Sequence, residues 1–167
     1  VVYVLAKGPM AEISTSVSRF AGPVGRRLRW PLAVAVSMLA LIIASAYVSV
    51  PLPMSPVPMT MQSLAVQMAG IWAGPRAGAA VCLVYLALGM VGLPVFAGGT
   101  SAPGLVLFAR PSAGYLFAFV PAAWVAGVLF RSVTNRVVGS VMALTAGHAV
   151  IFAGGVGYLT AFVPLSH

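Results

Sequence analysis

The chain alternates long apolar runs with short gaps, and most of its prolines and cations fall in or beside the gaps. The first run, from 30 to about 50, is long enough at 1.5 Å per residue to cross a ~30 Å hydrocarbon core, so it predicts a spanning helix. Pro51, Pro53, Pro56 and Pro58 then forbid helix and impose an extended path. A second helix is expected at about 59–73, with Thr60, Gln62, Ser63 and Gln67 in its first two turns. Gly74-Pro75-Arg76 breaks it, and a third helix follows at 77–90. Residues 92–111 then form a Gly- and Pro-punctuated central loop. Helices at 112–130 and 137–165 complete the set, with Gly154, Gly155 and Gly157 expected to loosen the second half of the last one.

Composition turns these runs into membrane spans. Hydrophobic residues make up 61% of the chain and charged residues 6%, against about a quarter charged in a soluble domain. The fold class is therefore an all-α integral membrane protein, a compact bundle with five transmembrane helices. Residues 1–29 read as a cytoplasmic tail, with Met10 a plausible native start, and 30–167 as the membrane domain. The net charge of +8 forms no patch interleaved with aromatics, which argues against nucleic acid as a partner. The cations read as topology determinants: with Arg26, Arg27 and Arg29 inside, Arg76, Arg131 and Arg136 also fall inside. The proline-rich loop and the central loop then face outward together. A loop at membrane depth is tolerated only where protein buries it or a cavity borders it, so the central loop is the expected wall of a binding site. Arg110 alone breaks the positive-inside pattern. It either snorkels to the interface or meets an anionic group of a ligand arriving from outside.

The residue inventory excludes most chemistry. Glu12 is the only acid, and the histidines are His148 and His167. Carboxylate pairs, metal clusters and Ser-His-Asp arrangements all need residues this chain lacks, so neither an enzyme nor a metal or cofactor is expected. Cys82 reads as a small buried hydrophobe. His148, inside the last span and far from the outward loops, reads as a neutral, hydrogen-bonded packing residue. Gly70, Gly74 and Gly78, and separately Ala40 and Ala44, recur at a spacing that lets helix backbones approach closely. Ala40 and Ala44 mark either internal packing or an external docking face.

Several motifs are familiar in combination. Pro51-Leu-Pro-Met-Ser-Pro-Val-Pro-Met-Thr-Met-Gln62 resembles the "PLPxxPVPxTxQ" stretch of the BioY family, the biotin-specific S components of energy-coupling-factor (ECF) transporters. Gly89-Met-Val-Gly-Leu-Pro-Val-Phe-Ala-Gly-Gly99 and Gly114-Tyr-Leu-Phe-Ala-Phe119 are similar to a second family signature. The resemblance implies a protein of the bacterial cell membrane that captures biotin from outside. It implies as partners a transmembrane T component and a pair of ATPases, with docking through small residues of the first helix, here Ala40 and Ala44. The usual "GPTGGY" departs here to Arg110-Pro111-Ser112-Ala113-Gly114-Tyr115. The family's sixth helix, with its "PGDxxK" pattern, has no counterpart before His167. A non-binding assembly subunit or a truncated remnant of such a transporter is the alternative reading.

Biotin presents a ureido ring, an apolar thioether ring and an aliphatic chain ending in a carboxylate. A matching pocket needs a few placed polar groups, an apolar wall and a donor for the acid. Thr60 and Gln62 stand at the expected N-terminus of the second helix, and Gln62 can both donate and accept. Thr60 could equally cap that helix, and Gln67 is expected to hydrogen-bond between helices. Phe96 and Tyr115 could wall the rings, and Gly98 with Gly99 could admit close backbone approach. Arg110 and Ser112 complete the expected substrate-binding set.

Overall fold

Leu, Ile, Val and Ala dominate positions 32–46, with no Gly or Pro among them, and in the computed structural model they end a continuous helix, α1 (Val24–Ala46). The structure describes the backbone of 24–50 and 57–162 and the side chains of 32–50 and 57–161. Expectations for the tail up to 23, including a start at Met10, for Pro51, Pro53 and Pro56, and for the chain beyond 162 lie outside these residues. Contacts divide the chain into Val1–Ala33 and Val34–His167, and the packing described below is that of the second unit.

The first helix was expected at 30 to about 50, and both ends differ. It begins at Val24, so Arg26, Arg27 and Arg29, good helix formers, are in the helix and not in a preceding tail. It stops at Ala46 because Ser49–Val50 (β1) pairs antiparallel with Met59–Thr60 (β2), in register Ser49↔Thr60 and Val50↔Met59. The same pairing delays the second helix: α2 is Gln62–Ala73, not 59–73. At 12 residues it rises about 18 Å, short of the ~30 Å core.

Gly74, at φ 97, ends α2 and starts α3 (Pro75–Met90), with Pro75 at the helix position where its missing N–H costs nothing. Two short 3-10 turns, Ala97–Gly99 and Gly104–Leu107, punctuate the central loop. The remaining helices are α4 (Ala113–Ser132) and α5 (Arg136–Phe162), each long and apolar enough to cross a membrane. Asn135 Oδ1 accepts from the backbone N–H groups of Val137 and Val138 and so caps α5.

Helix α4 is the hub, touching α2, α3 and α5. Its buried face is mostly small, including Ala113, Gly114, Ala118, Ala122, Ala123, Ala126 and Gly127. A Cβ at Gly70 would lie 2.0 Å from the Ala123 carbonyl oxygen, one at Gly78 2.6 Å from Gly70 Cα, and one at Gly127 2.5 Å from the Gly70 oxygen. Backbones therefore meet where the glycine spacing predicted close approach. In lipid, such packing supplies what the hydrophobic effect cannot.

The glycines of α5 correct an expectation. They do not loosen the helix, which runs unbroken to Phe162. A Cβ at Gly154 would stand 2.7 Å from Ala118 Cβ, and one at Gly155 2.2 Å from the Tyr115 ring. These two glycines make room for α4, and tertiary packing outweighs their poor helix propensity.

Candidate functional site

The polar side chains at the loop end of the bundle need partners, because a buried polar group left unpaired costs about 1–3 kcal/mol. They find them in a relay that runs from β2 through α2 and α3 to the central loop. Thr60 donates from Oγ1 to Gln62 Oε1 (3.2 Å), Gln62 donates from Nε2 to the Tyr85 hydroxyl, and Tyr85 donates to the Val95 carbonyl (3.1 Å). Gln62 and Tyr85 are 2% and 0% exposed. Thr60 does not cap α2: the cap position is Met61, and no side chain bonds there.

The central loop is folded back onto α3 and onto Tyr47, just past the end of α1. Phe96 and Thr100 form a bridge, Ala102 N–H donates to the Gly89 carbonyl at 3.2 Å, and the Tyr47 hydroxyl donates to the Pro94 carbonyl at 2.8 Å. Phe96 is turned inward, edge-on to Tyr85 at 5.4 Å between centroids. Gly89 makes that possible, since a Cβ there would lie 2.0 Å from the Phe96 ring. Arg110 donates from Nη1 to Thr100 Oγ1 at 2.9 Å, and Thr100 donates to the Ala97 carbonyl at 3.0 Å.

These elements enclose a cavity of about 530 Å³, within the ~300–1,000 Å³ usual for small-molecule sites. Of the expected site residues, Thr60, Gln62, Phe96, Arg110, Ser112 and Tyr115 all line it. Val57 and Pro58 from the proline-rich loop line it as well, so the two loops meet at one site. Ser112 holds the N-cap position of α4 without making a cap bond. Phe119, Leu116, Ile151 and Phe152 supply apolar wall.

Two expectations need correction. Gly98 is not among the lining residues; its φ of 68 and the open space around its missing Cβ mark a turn requirement. Gly99, at φ 71, faces Tyr47, whose ring would be 3.1 Å from an added Cβ. His148, placed by sequence far from the loops, lines the cavity. It does so because α5 packs along α4 and the cavity extends inward from the loops between them. Its hydrogen bonding is as expected: Nδ1 lies 2.7 Å from Gln67 Nε2 and 3.0 Å from the Leu144 carbonyl oxygen. Gln67 bonds between helices, also as expected.

Tyr85, Thr100 and His148 are the residues that sequence reasoning missed. A signal existed for Tyr85: a hydroxyl inside an apolar run must find an acceptor. Cys82 is buried, as a small hydrophobe would be. Ala40 and Ala44 lie on the exposed side of α1, while Met38 and Ile42 of the same helix are buried.

The described residues contain no group of three His, Cys, Asp or Glu side chains that could hold a metal ion. What the cavity offers is hydrogen-bond donors and acceptors, one cation and aromatic surface.

The biotin transporter BioY of Rhizobium etli is 39% identical over 112 residues, covering 62% of this chain and 59% of that protein. The biotin transporter BioY of Rhodobacter capsulatus is 39% identical over 121 residues, covering 70% of this chain and 62% of that protein. The chain thus spans about six-tenths of the length of these curated relatives. A crystal structure of the S-component for biotin from an ECF-type ABC transporter superposes with a TM-score of 0.74 at 26% identity, over 83% of this chain and 75% of that one. The BioY family model matches residues 19–167. This all-α integral membrane protein belongs to the BioY family, a family of transporters and not of enzymes.

Proposed function

We propose that this protein is a biotin-capturing S component, a membrane-embedded binding subunit that takes the vitamin from outside and hands it to an ATP-driven module. The observation that carries the reading is the position of Arg110: a cation on the wall of a largely apolar cavity, with Glu12 the only acid in the whole chain. A guanidinium so placed suits a carboxylate at the end of an apolar ligand, and biotin is such a ligand. The Thr60–Gln62 pair adds a donor and an acceptor for the ligand's polar groups, and Phe96, Tyr115 and Phe152 supply flat surface for the thioether ring.

The relatives named biotin transporter and the solved biotin S-component support the same reading. In it, the loops at 51–58 and 92–111 open outward, and residues 1–29 lie on the cytoplasmic side. Energy comes from a T component and ATPases, which dock where Ala40 and Ala44 present a small-residue face. The test is equilibrium binding of labelled biotin by the purified protein in detergent. Saturable binding displaced by unlabelled biotin is expected, and its absence overturns the reading.

A further inference from the structure

His148 is the one ionisable side chain on α5 that lines the cavity, and its two ring nitrogens are not equivalent. Gln67, fully buried on α2, holds its amide in one orientation: Nε2 donates to the Ser63 carbonyl at 3.0 Å and reaches His148 Nδ1 at 2.7 Å. Turning the amide over would set Oε1 3.0 Å from the Ser63 oxygen, acceptor against acceptor. Gly147 leaves room for this arrangement, since a Cβ there would lie 2.8 Å from Gln67 Cδ. With an N–H of Gln67 aimed at it, Nδ1 is an acceptor. A proton on Nδ1 would oppose that N–H at 2.7 Å, and the Leu144 carbonyl at 3.0 Å is the more distant contact. The Gln67 N–H asks Nδ1 for a lone pair and the Leu144 carbonyl asks it for a proton; the shorter contact favours the tautomer with the proton on Nε2, because the bond made by one nitrogen sets the state of the other. The ring lies beside Phe152, 6.4 Å between centroids and tilted by 31°. Nε2 is then the ring's remaining polar atom, in a residue that lines the cavity.

The position along α5 says which part of a ligand this donor meets. Tyr158, near the loop end, donates to the carbonyl of Phe108, two residues from Arg110. His148 is ten residues away on α5, about 15 Å at 1.5 Å per residue. A ligand whose acid lies at Arg110 therefore points its other end toward His148.

We infer that His148 is a specificity-determining residue of this cavity, donating from Nε2 to a carbonyl-type acceptor at the inner end of the ligand, the ureido oxygen of biotin. The inference rests on the proposed biotin-binding reading and adds to it a residue on α5. Gln67 and Gly147 act through His148: they hold the ring in the tautomer that donates.

The experiment compares biotin with 2-thiobiotin, whose sulfur is a weak acceptor, on the parent protein and on His148→Phe, His148→Gln and His148→Asn. The parent should favour biotin over 2-thiobiotin. H148F should weaken biotin about tenfold, the worth of one hydrogen bond, and lose that preference. H148Q, whose amide nitrogen can reach the place of Nε2, should recover part of the loss, and H148N, whose amide mimics Nδ1, should not. Nitrogen-15 spectra of histidine-labelled parent protein, with only His148 and His167 to assign, should show the Nε2–H form of His148 and a biotin-induced shift at Nε2. A parent that binds no biotin overturns the biotin reading and this inference with it. A parent that binds biotin while H148F weakens both compounds equally, or neither, overturns this inference alone, as does an Nδ1–H tautomer.

Discussion

Gln62 and Tyr85 share a buried hydrogen bond at the junction of α2, α3 and the central loop. The amide of Gln62 donates to the Tyr85 hydroxyl, which in turn donates to the Val95 carbonyl. One side of the bond lines the cavity and the other fixes the loop that covers it. Site shape and loop position are therefore coupled through a single hydroxyl.

Tyr85→Phe removes that hydroxyl and leaves the Gln62 amide and the Val95 carbonyl short of a partner. The expected loss of stability is about 1–3 kcal/mol, seen as a lower unfolding temperature in detergent, with weaker biotin binding. Binding unchanged at normal unfolding temperature would show that the relay does not shape the site.

Arg110→Ala should weaken biotin by roughly 10- to 100-fold, the range for a hydrogen bond to a charged group. A biotin amide, which lacks the carboxylate, should be far less affected. Parallel titrations of the two compounds check this, and equal losses would return Arg110 to an interfacial role.

Gly89→Ala and Gly98→Ala separate space from conformation. At Gly89 the new methyl meets the Phe96 ring, so both stability and binding should fall, by about 1–3 kcal/mol for overpacking. At Gly98 the methyl meets nothing, and only the left-handed backbone is strained, by about 1–2 kcal/mol. Binding by the folded G98A protein should be near normal. Thermal unfolding combined with biotin titration distinguishes the two.

Ala40→Trp with Ala44→Trp places bulk on the exposed side of α1, away from the cavity residues. Biotin binding should persist while uptake by cells expressing the partners falls. Normal uptake would remove these positions from the docking face.

Sidedness is open to direct labelling. Met59 and Leu105 are 62% and 82% exposed, and Cys82, the chain's only cysteine, is fully buried. In a Cys82→Ala background, cysteines placed at Met59 and Leu105 should react with an impermeant maleimide added from outside, and one at Thr134 should not. Reaction of the first two from opposite faces would separate the loops and refute an outward-facing site.

The sequence determined the approximate places of the helices among the described residues, because apolar runs and Gly/Pro breaks are local signals. It also indicated that the central loop would border a cavity, which Val57 and Pro58 line as well, since irregular backbone at membrane depth must border protein or a cavity. Local pattern could not decide where α1 ends and α2 begins: the pairing of Ser49–Val50 with Met59–Thr60 removes residues from both helices, and strand pairing depends on the partner. Nor could it decide that Gly154 and Gly155 serve contact with α4 instead of loosening α5, because the same residue type satisfies either need. His148 was judged by its distance along the chain, whereas packing of α5 against α4 carries it to the cavity. Residue chemistry is written in the sequence, but which groups face one another is settled only when the helices pack.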